Sequence, residues 1–335
     1  MQRVKVVILG MGRMGAIRYT SIIKHGGFDI VGLCDTCVDK MVNYTEPIFT
    51  SWQKCIDQTQ PEAAFVCTYN AFIPEIVCCA IETGIHVFAE KPPGKNLADT
   101  LRMKSALDNS TNTILKFGFN HRYHNSVIEA KALIDSGLIG DLVCARGIYG
   151  KAGTPSFPND WRNDMEISGG GILLDQGIHM LDLLYYFLGE FSTVKSAVHH
   201  LVWKEMKTED SAFAIMETPG GQVASLHSSA VQWKHKFNLD LIGTNGYATL
   251  DGLITSSLSY GEETLTYYRK DLAGNTGKLG KPLEHTLCFD NDESWDHELD
   301  EFYAALTGAK KIEHGTIEQA VYVMRLIENI YNGGE

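Results

Sequence analysis

The chain has 335 residues, which is longer than one ordinary core supports, so the sequence predicts two domains. The formal net charge is −12, from 29 basic and 41 acidic residues. An acidic chain repels phosphate backbones, which argues against nucleic acid as a partner. No apolar run reaches the roughly 18 residues that cross a bilayer, so no membrane partner is expected.

Eight cysteines indicate a reducing compartment, because most of them lie within apolar strand or helix patterns. A cytoplasmic location is therefore expected. Cys34 and Cys37 form one CxxC pair, but a zinc site would need a second pair, so no metal is predicted. The short apolar run at 4–9 ends in glycines and fits an opening strand better than a signal peptide.

Short β-rich runs alternate with helical patterns through the first 120 residues. Strands are predicted at 4–9, 29–34, 63–67, 85–89 and 113–118. Helices are predicted from the first glycine turn to about 24 and at 51–58, 73–83 and 96–108. This alternation predicts βαβ units and a doubly wound, Rossmann-type parallel sheet in a dinucleotide-binding domain at 1–120.

Closely spaced strands dominate the second domain, predicted at 121–335. Helices are expected at 122–136, 171–188, 293–307 and 316–331, and the last of them are candidates to pack back on the first domain. Strands are expected at 193–203, 209–217, 221–231, 236–243, 246–251 and 263–268, and loops at 269–290. Neighbouring strands without intervening helices predict a mainly antiparallel sheet.

A glycine-rich turn joins the first strand to the first helix. Gly10, Gly12 and Gly15 form a G-x-G-x-x-G pattern that includes Arg13 and Met14. In this context the glycines allow a tight turn, close approach to a pyrophosphate and helix–strand packing. The helix N-terminus also attracts phosphates, so these five residues are predicted to bind a dinucleotide.

Asp35 lies 20 residues after Gly15, at the end of the second predicted strand. A carboxylate there can accept hydrogen bonds from both ribose hydroxyls of adenosine and would repel a 2′-phosphate. The next residues, Thr36 and Cys37, supply no positive charge, so NAD is favoured over NADP. The structural alternative for Asp35 is an Asx turn.

Lys91 lies in AEKPPG, directly after the predicted strand at 85–89. Ligands of doubly wound folds bind outside the carboxyl ends of the strands, so Lys91 is expected to face the cofactor cleft. A lysine there can polarise a carbonyl or stabilise an alkoxide. The alternative is a solvated lysine in a turn.

The segment SGGGILLDQGIHMLD at 168–182 predicts a buried helix that includes charged residues. Asp175 and His179 are four residues apart and share one helix face, and Asp182 continues that stripe. Buried charge is costly unless it is paired or used, so Asp175 is predicted to orient His179 in a cleft. The alternatives are a structural pair or a metal site, although no third ligand is evident.

The three motifs together resemble the Gfo/Idh/MocA oxidoreductases, the relatives of glucose–fructose oxidoreductase and inositol dehydrogenase. The resemblance covers nearly the whole chain. It implies an α/β fold with a Rossmann domain followed by an α/β domain that has a large, open, mainly antiparallel sheet. That second domain would bind the substrate, a sugar, cyclitol, nucleotide sugar or related polyol. It would also form a homodimer or homotetramer through the open sheet.

The resemblance also implies catalytic roles for three residues. Lys91 would hold and polarise the substrate oxygen, His179 would take or return the hydroxyl proton, and Asp175 would bind a substrate hydroxyl and tune His179. Hydride would pass between a sugar carbon and the nicotinamide. The expected activity is that of an NAD-dependent sugar or polyol dehydrogenase. The alternatives are an NAD-dependent glycosidase of the same fold and a non-catalytic NAD-binding sensor.

One motif departs from the family pattern. After the strand at 63–67 the family tends to have Thr-Pro-Asn with a histidine three residues on, whereas this chain has Thr68, Tyr69 and Asn70, and then Ile73. The change affects substrate details. Thr68 and Asn70 still match and complete the expected cofactor contacts, together with Glu90, Lys91 and Pro92. Weaker candidates for substrate contacts are Asn120, Arg122, Tyr123, Trp161 and Arg162.

Overall fold

The computed structural model describes residues 3–270 and 283–334, and these form two compact units. The first unit comprises residues 3–120, 166–169 and 295–325. The second comprises residues 121–165, 170–270, 283–294 and 326–334. No helix within these ranges has the length and apolarity required to span a membrane.

The first unit contains a six-stranded parallel sheet. Its strands are β1 Val4–Leu9, β2 Phe28–Cys34, β3 Ile48–Phe49, β4 Ala63–Val66, β5 His86–Ala89 and β6 Leu115–Phe117. Their order is β3-β2-β1-β4-β5-β6, and β1 pairs with both β2 and β4. This order is that of a dinucleotide-binding sheet, in which the ligand lies where the strand order reverses. The predicted doubly wound sheet is therefore confirmed, and β3 is an addition to it.

Apart from the short α6 and the start of α7, the helices lie close to the positions that the sequence predicts. They are α1 Arg13–His25, α2 Trp52–Thr59, α3 Ile73–Glu82, α4 Leu97–Asp108, α5 Asn125–Asp135, α6 Met165–Ser168, α7 Ile178–Leu188, α8 Ser294–Leu306 and α9 Ile317–Tyr331. Local signals explain several boundaries. The side chains of Ser51 and Asn96 cap α2 and α4, and α1 ends at Gly26 in the left-handed conformation.

Apolar side chains of the sheet and of α8 form the core of the first unit. Phe302 of α8 packs edge-on against Phe65 of β4 and Phe88 of β5, with ring centroids 5.6 and 5.5 Å apart. Leu299 of α8 is fully buried in the same cluster. A helix from the end of the sequence therefore completes the core of the dinucleotide-binding sheet.

Arg18 of α1 occupies the centre of a buried charge cluster. Its Nε donates to Oε1 of Glu90 and its Nη2 donates to Oε2 of Glu298, both at 2.6 Å. The guanidinium also lies 4.2 Å from the ring centre of Phe88. Burial raises the pKa of Glu298 to about 6 and lowers the pKa of the neighbouring Lys116. The cluster joins α1, the end of β5 and α8.

The second unit contains an eight-stranded sheet. Its strands are β7 Leu142–Ala152, β8 Thr193–His199, β9 Ser211–Glu217, β10 Val223–Ser229, β11 Val231–Gly243, β12 Gly246–Asp251, β13 Glu263–Arg269 and β14 His285–Phe289. The order is β14-β13-β12-β11-β7-β10-β9-β8, and only the β7–β10 pair is parallel. The expected mainly antiparallel sheet is confirmed.

The sequence analysis missed the central strand of this sheet, β7. Two glycines weaken its strand pattern, because glycine lowers β-propensity. Gly147 is required by packing, since a Cβ there would lie 2.4 Å from the sulfur of Met180 on α7. The loop predicted at 269–290 is also wrong in part, because β14 lies within it, while residues 271–282 fall outside the described residues.

The charge cluster predicts a large stability difference between two substitutions on the same helix. Arg18→Ala should lower the free energy of unfolding by about 3–5 kcal/mol, because it leaves two buried carboxylates without their cation. Lys24→Ala is the control, since this lysine is 70% exposed and pairs with Asp296 at the surface. Its loss should cost at most about 1 kcal/mol. Chemical denaturation measures both, and equal losses would contradict a structural role for the cluster.

Candidate active site

The glycine loop lies between β1 and α1 of the first unit. A Cβ at Gly15 would lie 2.0 Å from the carbonyl oxygen of Gly10, so only glycine allows α1 to pack here. A Cβ at Gly12 would have no atom within 4 Å, which leaves open space for a ligand. No side chain caps the N-terminus of α1, where Arg13 is exposed and Met14 is half-buried. These features fit a pyrophosphate at the helix N-terminus.

Asp35 follows β2 and lies beside the glycine loop. Its Oδ2 accepts a hydrogen bond from the backbone N–H of Met11, and its Oδ1 accepts one from that of Cys37, both at 2.9 Å. The ammonium group of Lys40 lies 3.1 Å from each carboxylate oxygen. Thr36 and Cys37 carry no positive charge, but Lys40 does, and a single helical turn at Val38–Lys40 brings it back to Asp35.

The other expected cofactor contacts follow β4 and β5. Asn70 is buried, and its side-chain amide donates to the carbonyl of Ser168 at 2.8 Å, while Thr68 is half-buried. Glu90 is held by Arg18, and the half-buried Lys91 comes directly after it. The peptide bond between Lys91 and Pro92 is cis. All of these residues belong to the first unit.

In the second unit, Glu209 holds the start of the segment that contains Asp175 and His179. Its carboxylate accepts hydrogen bonds from the N–H groups of Gly171 and Leu173 at 2.9 Å and from the hydroxyl of Tyr331 at 3.0 Å. Burial raises the pKa of Glu209, and these donors partly offset the rise. Glu209 therefore takes the place of a helix cap.

The helix predicted at 171–188 is confirmed from Ile172 onward, but its first half is π-helical. Leu173–Gly177 forms a wide π-type turn, and α7 begins only at Ile178. Such turns are frequent at functional sites. Asp175 lies in the wide turn and His179 in the first turn of α7.

Two cations hold the carboxylate of Asp175. Oδ2 lies 2.9 Å from the ammonium group of Lys151, and Oδ1 lies 3.3 Å from Nε of Arg162. The guanidinium of Arg162 in turn lies over the ring of Trp161, at 4.6 Å. The structure therefore brings Arg162, a weaker candidate in the sequence, to Asp175, and the ring of Trp161 lies against Arg162. Lys151 belongs to β7 and was missed together with that strand, and the predicted pairing of Asp175 with His179 stays a prediction.

His179 is buried and stacks on a second histidine. The ring centroids of His179 and His121 lie 3.7 Å apart, and their planes are inclined by 21°. Nε2 of His121 lies 3.1 Å from the hydroxyl of Tyr149. Burial raises the pKa of Tyr149 well above its usual range, so this hydroxyl stays neutral. His121 lies in the Asn120–Tyr123 motif, whose other members are the weaker candidates for substrate contacts.

Arg122 has an internal partner instead of a free guanidinium. It forms two hydrogen bonds with Asp182, at 2.8 and 2.6 Å, and both side chains are almost fully buried. The weaker expectation of a substrate contact at Arg122 stays a prediction, and the structure adds this ion pair with Asp182. Asn120 and Tyr123 are also buried. No set of three or more His, Cys, Asp or Glu in the described part of the chain is arranged to hold a metal ion.

Comparison with protein families gives matches in both parts of the chain. Residues 4–119 match the model of an oxidoreductase family with an NAD-binding Rossmann fold. Residues 127–249 match the GFO/IDH/MocA C-terminal domain. The two models follow one another along the chain and together cover more than half of it.

Known proteins of this kind are similar over different shares of their length. A levoglucosan dehydrogenase from Pseudarthrobacter phenanthrenivorans is 29% identical over 175 residues, which are 52% of this chain and 45% of that protein. A D-glucoside 3-dehydrogenase from Escherichia coli is 23% identical over 99% of this chain and 95% of its own. A solved levoglucosan dehydrogenase, in complex with NADH and levoglucosan, has the same fold, with a TM-score of 0.87 at 19% identity; the alignment covers 99% of this chain and 97% of that one.

Two substitutions in the glycine loop should affect different properties, one the binding of NADH and the other the stability of the fold. Gly12→Ala should leave the free energy of unfolding within about 0.5 kcal/mol of the parent, because nothing contacts the new methyl group. It should weaken NADH binding about ten-fold or more, because the methyl group blocks the pyrophosphate. Gly15→Ala should instead destabilise the fold by about 1–3 kcal/mol. Denaturation and fluorescence titration measure these effects, and unchanged NADH binding by Gly12→Ala would refute a dinucleotide site here.

Proposed function

Because the chain belongs to the Gfo/Idh/MocA oxidoreductase family, we propose that it is an NAD-dependent dehydrogenase or reductase of a sugar or polyol. One observation supports this proposal above the others. The chain has a complete dinucleotide loop on a doubly wound sheet, and it also has a lysine, an aspartate and a histidine of the kinds that carbonyl–alcohol chemistry requires.

The residues around the glycine loop fit a nicotinamide dinucleotide. Gly12 and the N-terminus of α1 would hold the pyrophosphate, and Asp35 would bind the adenosine ribose. Bound NAD would supply the hydride acceptor or donor, which no protein side chain can provide. Thr68, Asn70 and the segment Glu90–Pro92 follow the carboxyl ends of β4 and β5, where ligands of such sheets bind.

Lys91 would act on the substrate oxygen. Its ammonium group can stabilise negative charge that develops there when an alcohol is oxidised or a ketone is reduced. The preceding residue, Glu90, is anchored by Arg18 at 2.6 Å. This anchor fixes the backbone from which Lys91 extends, and a preorganised charge stabilises a transition state more than a mobile one does.

His179 would accept the hydroxyl proton during oxidation and return it during reduction. The stacked ring of His121 restricts its orientation, and Tyr149 in turn restrains His121. Asp175 would accept a hydrogen bond from a substrate hydroxyl. Lys151 and Arg162 hold its carboxylate in place through ion pairs.

A neutral, hydroxyl-rich substrate suits the groups around Asp175. Lys151 and Arg162 are balanced by Asp175 and by Asp160, which lies 3.3 Å from Arg162. The charges of these four side chains therefore sum to zero, and together they offer both hydrogen-bond donors and acceptors. The names of the relatives, levoglucosan dehydrogenase and D-glucoside 3-dehydrogenase, agree with a sugar. A cytoplasmic location is part of the proposal, because buried thiols such as Cys34 and Cys55 suit a reducing compartment.

The first experiment follows NADH absorbance with purified protein, NAD and a panel of sugars, inositols and nucleotide sugars. One substrate class should give a signal. Lys91→Ala should lower kcat by about 10²–10⁴-fold while NADH still binds, because the variant loses charge stabilisation but keeps the dinucleotide site. Lys95→Ala, in the same segment, is the matched control and should retain turnover.

The other outcomes distinguish the alternative functions. If the protein binds NADH but no substrate of the panel changes the NADH absorbance, a simple dehydrogenase is contradicted. Release of aryl alcohol from aryl glycosides would then identify the glycosidase. Binding of NADH without either reaction would indicate the sensor. Full turnover by Lys91→Ala would refute the role of this lysine.

Self-association through the outward face of the large sheet is a further part of the proposal. Phe213, Ile215 and Val223 of β9 and β10 are exposed large apolar side chains, and Ile215 is 59% exposed. An apolar sheet face of this kind favours a protein partner over water. A second copy of the chain would supply that partner.

Sedimentation equilibrium measures the oligomeric state. Ile215→Lys should weaken the association about ten-fold or more, because it buries a charge in the interface. Ile23→Lys, on α1 and 57% exposed, is the control and should have no effect. A parent protein that is monomeric at micromolar concentration, or an Ile215→Lys variant that associates like the parent, would refute this interface.

A further inference from the structure

The hydrogen bonds of Asp35 leave no acceptor position for a ribose. The carboxylate accepts two hydrogen bonds from backbone N–H groups and two from the ammonium group of Lys40. A carboxylate has about four lone-pair sites, so all of them are in use. For Asp35 to bind the ribose hydroxyls of NAD, one of these donors has to leave.

Lys40 is the donor that can leave. The N–H groups of Met11 and Cys37 belong to the backbone that forms the loop and the following turn, and their positions depend on the fold. Lys40 instead reaches Asp35 through a flexible side chain that is 42% exposed. Asp35 is buried, but it keeps both backbone donors when Lys40 leaves, and a ribose hydroxyl would replace the lost donor, so the exchange costs little.

Lys40 also changes which dinucleotide the site tolerates. A lone carboxylate repels the 2′-phosphate that distinguishes NADP from NAD. With Lys40 against both oxygens, the charge of Asp35 is neutralised, and the ammonium group can donate hydrogen bonds to a phosphate. The two positions of Lys40 therefore correspond to the two cofactors: displaced for a ribose hydroxyl, and retained for a phosphate.

We propose that Lys40 determines the dinucleotide preference of this protein and admits NADP alongside NAD. The inference rests on the proposed function only in assuming that a nicotinamide dinucleotide binds at the glycine loop. It differs from the expectation of NAD preference that Asp35, Thr36 and Cys37 suggest in the sequence. That expectation left out a cation that lies five residues after Asp35 and only 3.1 Å from it.

The test is fluorescence titration of the full chain with NADH and NADPH, without any substrate. Lys40→Ala should weaken NADPH binding about ten-fold and leave NADH binding unchanged or tighter, because a phosphate then faces an uncompensated carboxylate. Lys40→Arg should keep the ratio of the two Kd values within about three-fold of the parent, since it preserves the charge. Lys54→Ala, an exposed lysine on α2, is the control for overall charge.

The ratio of Kd for NADPH to Kd for NADH decides the outcome. A rise in this ratio of about five-fold or more in Lys40→Ala, with Lys54→Ala unchanged, supports the proposal. A smaller rise, or equal weakening of both cofactors, overturns it and leaves the dehydrogenase proposal intact. If the parent protein binds neither dinucleotide, the proposed function itself fails, and the inference fails with it.

Discussion

The ion pairs of Arg18 are the interaction on which the first unit depends. This guanidinium is fully buried and holds Glu90, at the end of β5, and Glu298, on α8. It therefore connects α1, which follows the glycine loop, with the backbone before Lys91 and with α8. Buried charges are costly to remove from water, so such a cluster persists only when its partners are held in position. The geometry that the dinucleotide site needs is part of that arrangement.

In the second unit, the carboxylates of Glu209 and Asp175 likewise hold separate segments of the chain together. Glu209 binds the N–H groups at the start of the segment that contains Asp175 and His179, which begins with a wide π-type turn. Asp175 then projects from that turn toward Lys151 of β7 and Arg162. In both units, a buried or half-buried carboxylate links segments that are far apart in the sequence. Stability and site geometry are therefore determined by the same groups.

Asp35 and Lys40 illustrate that the effect of a motif residue depends on neighbours outside the motif. The acidic residue after the second strand suits the ribose of NAD, and the sequence places it at the right distance from the glycine loop. Its charge is nevertheless shared with a lysine that the motif does not include. The same carboxylate can favour one cofactor or tolerate both, depending on where that ammonium group lies.

The sequence by itself determined the doubly wound sheet, the positions of most helices and the family, because hydrophobic periodicity, glycine spacing and short motifs are local signals. Tertiary structure decided the rest. β7 has two glycines that weaken its pattern, and packing against Met180 explains one of them. The stacking of His121 on His179 and the pairing of Arg122 with Asp182 join residues about sixty positions apart. Such contacts depend on how the chain folds back on itself, and no local pattern encodes them.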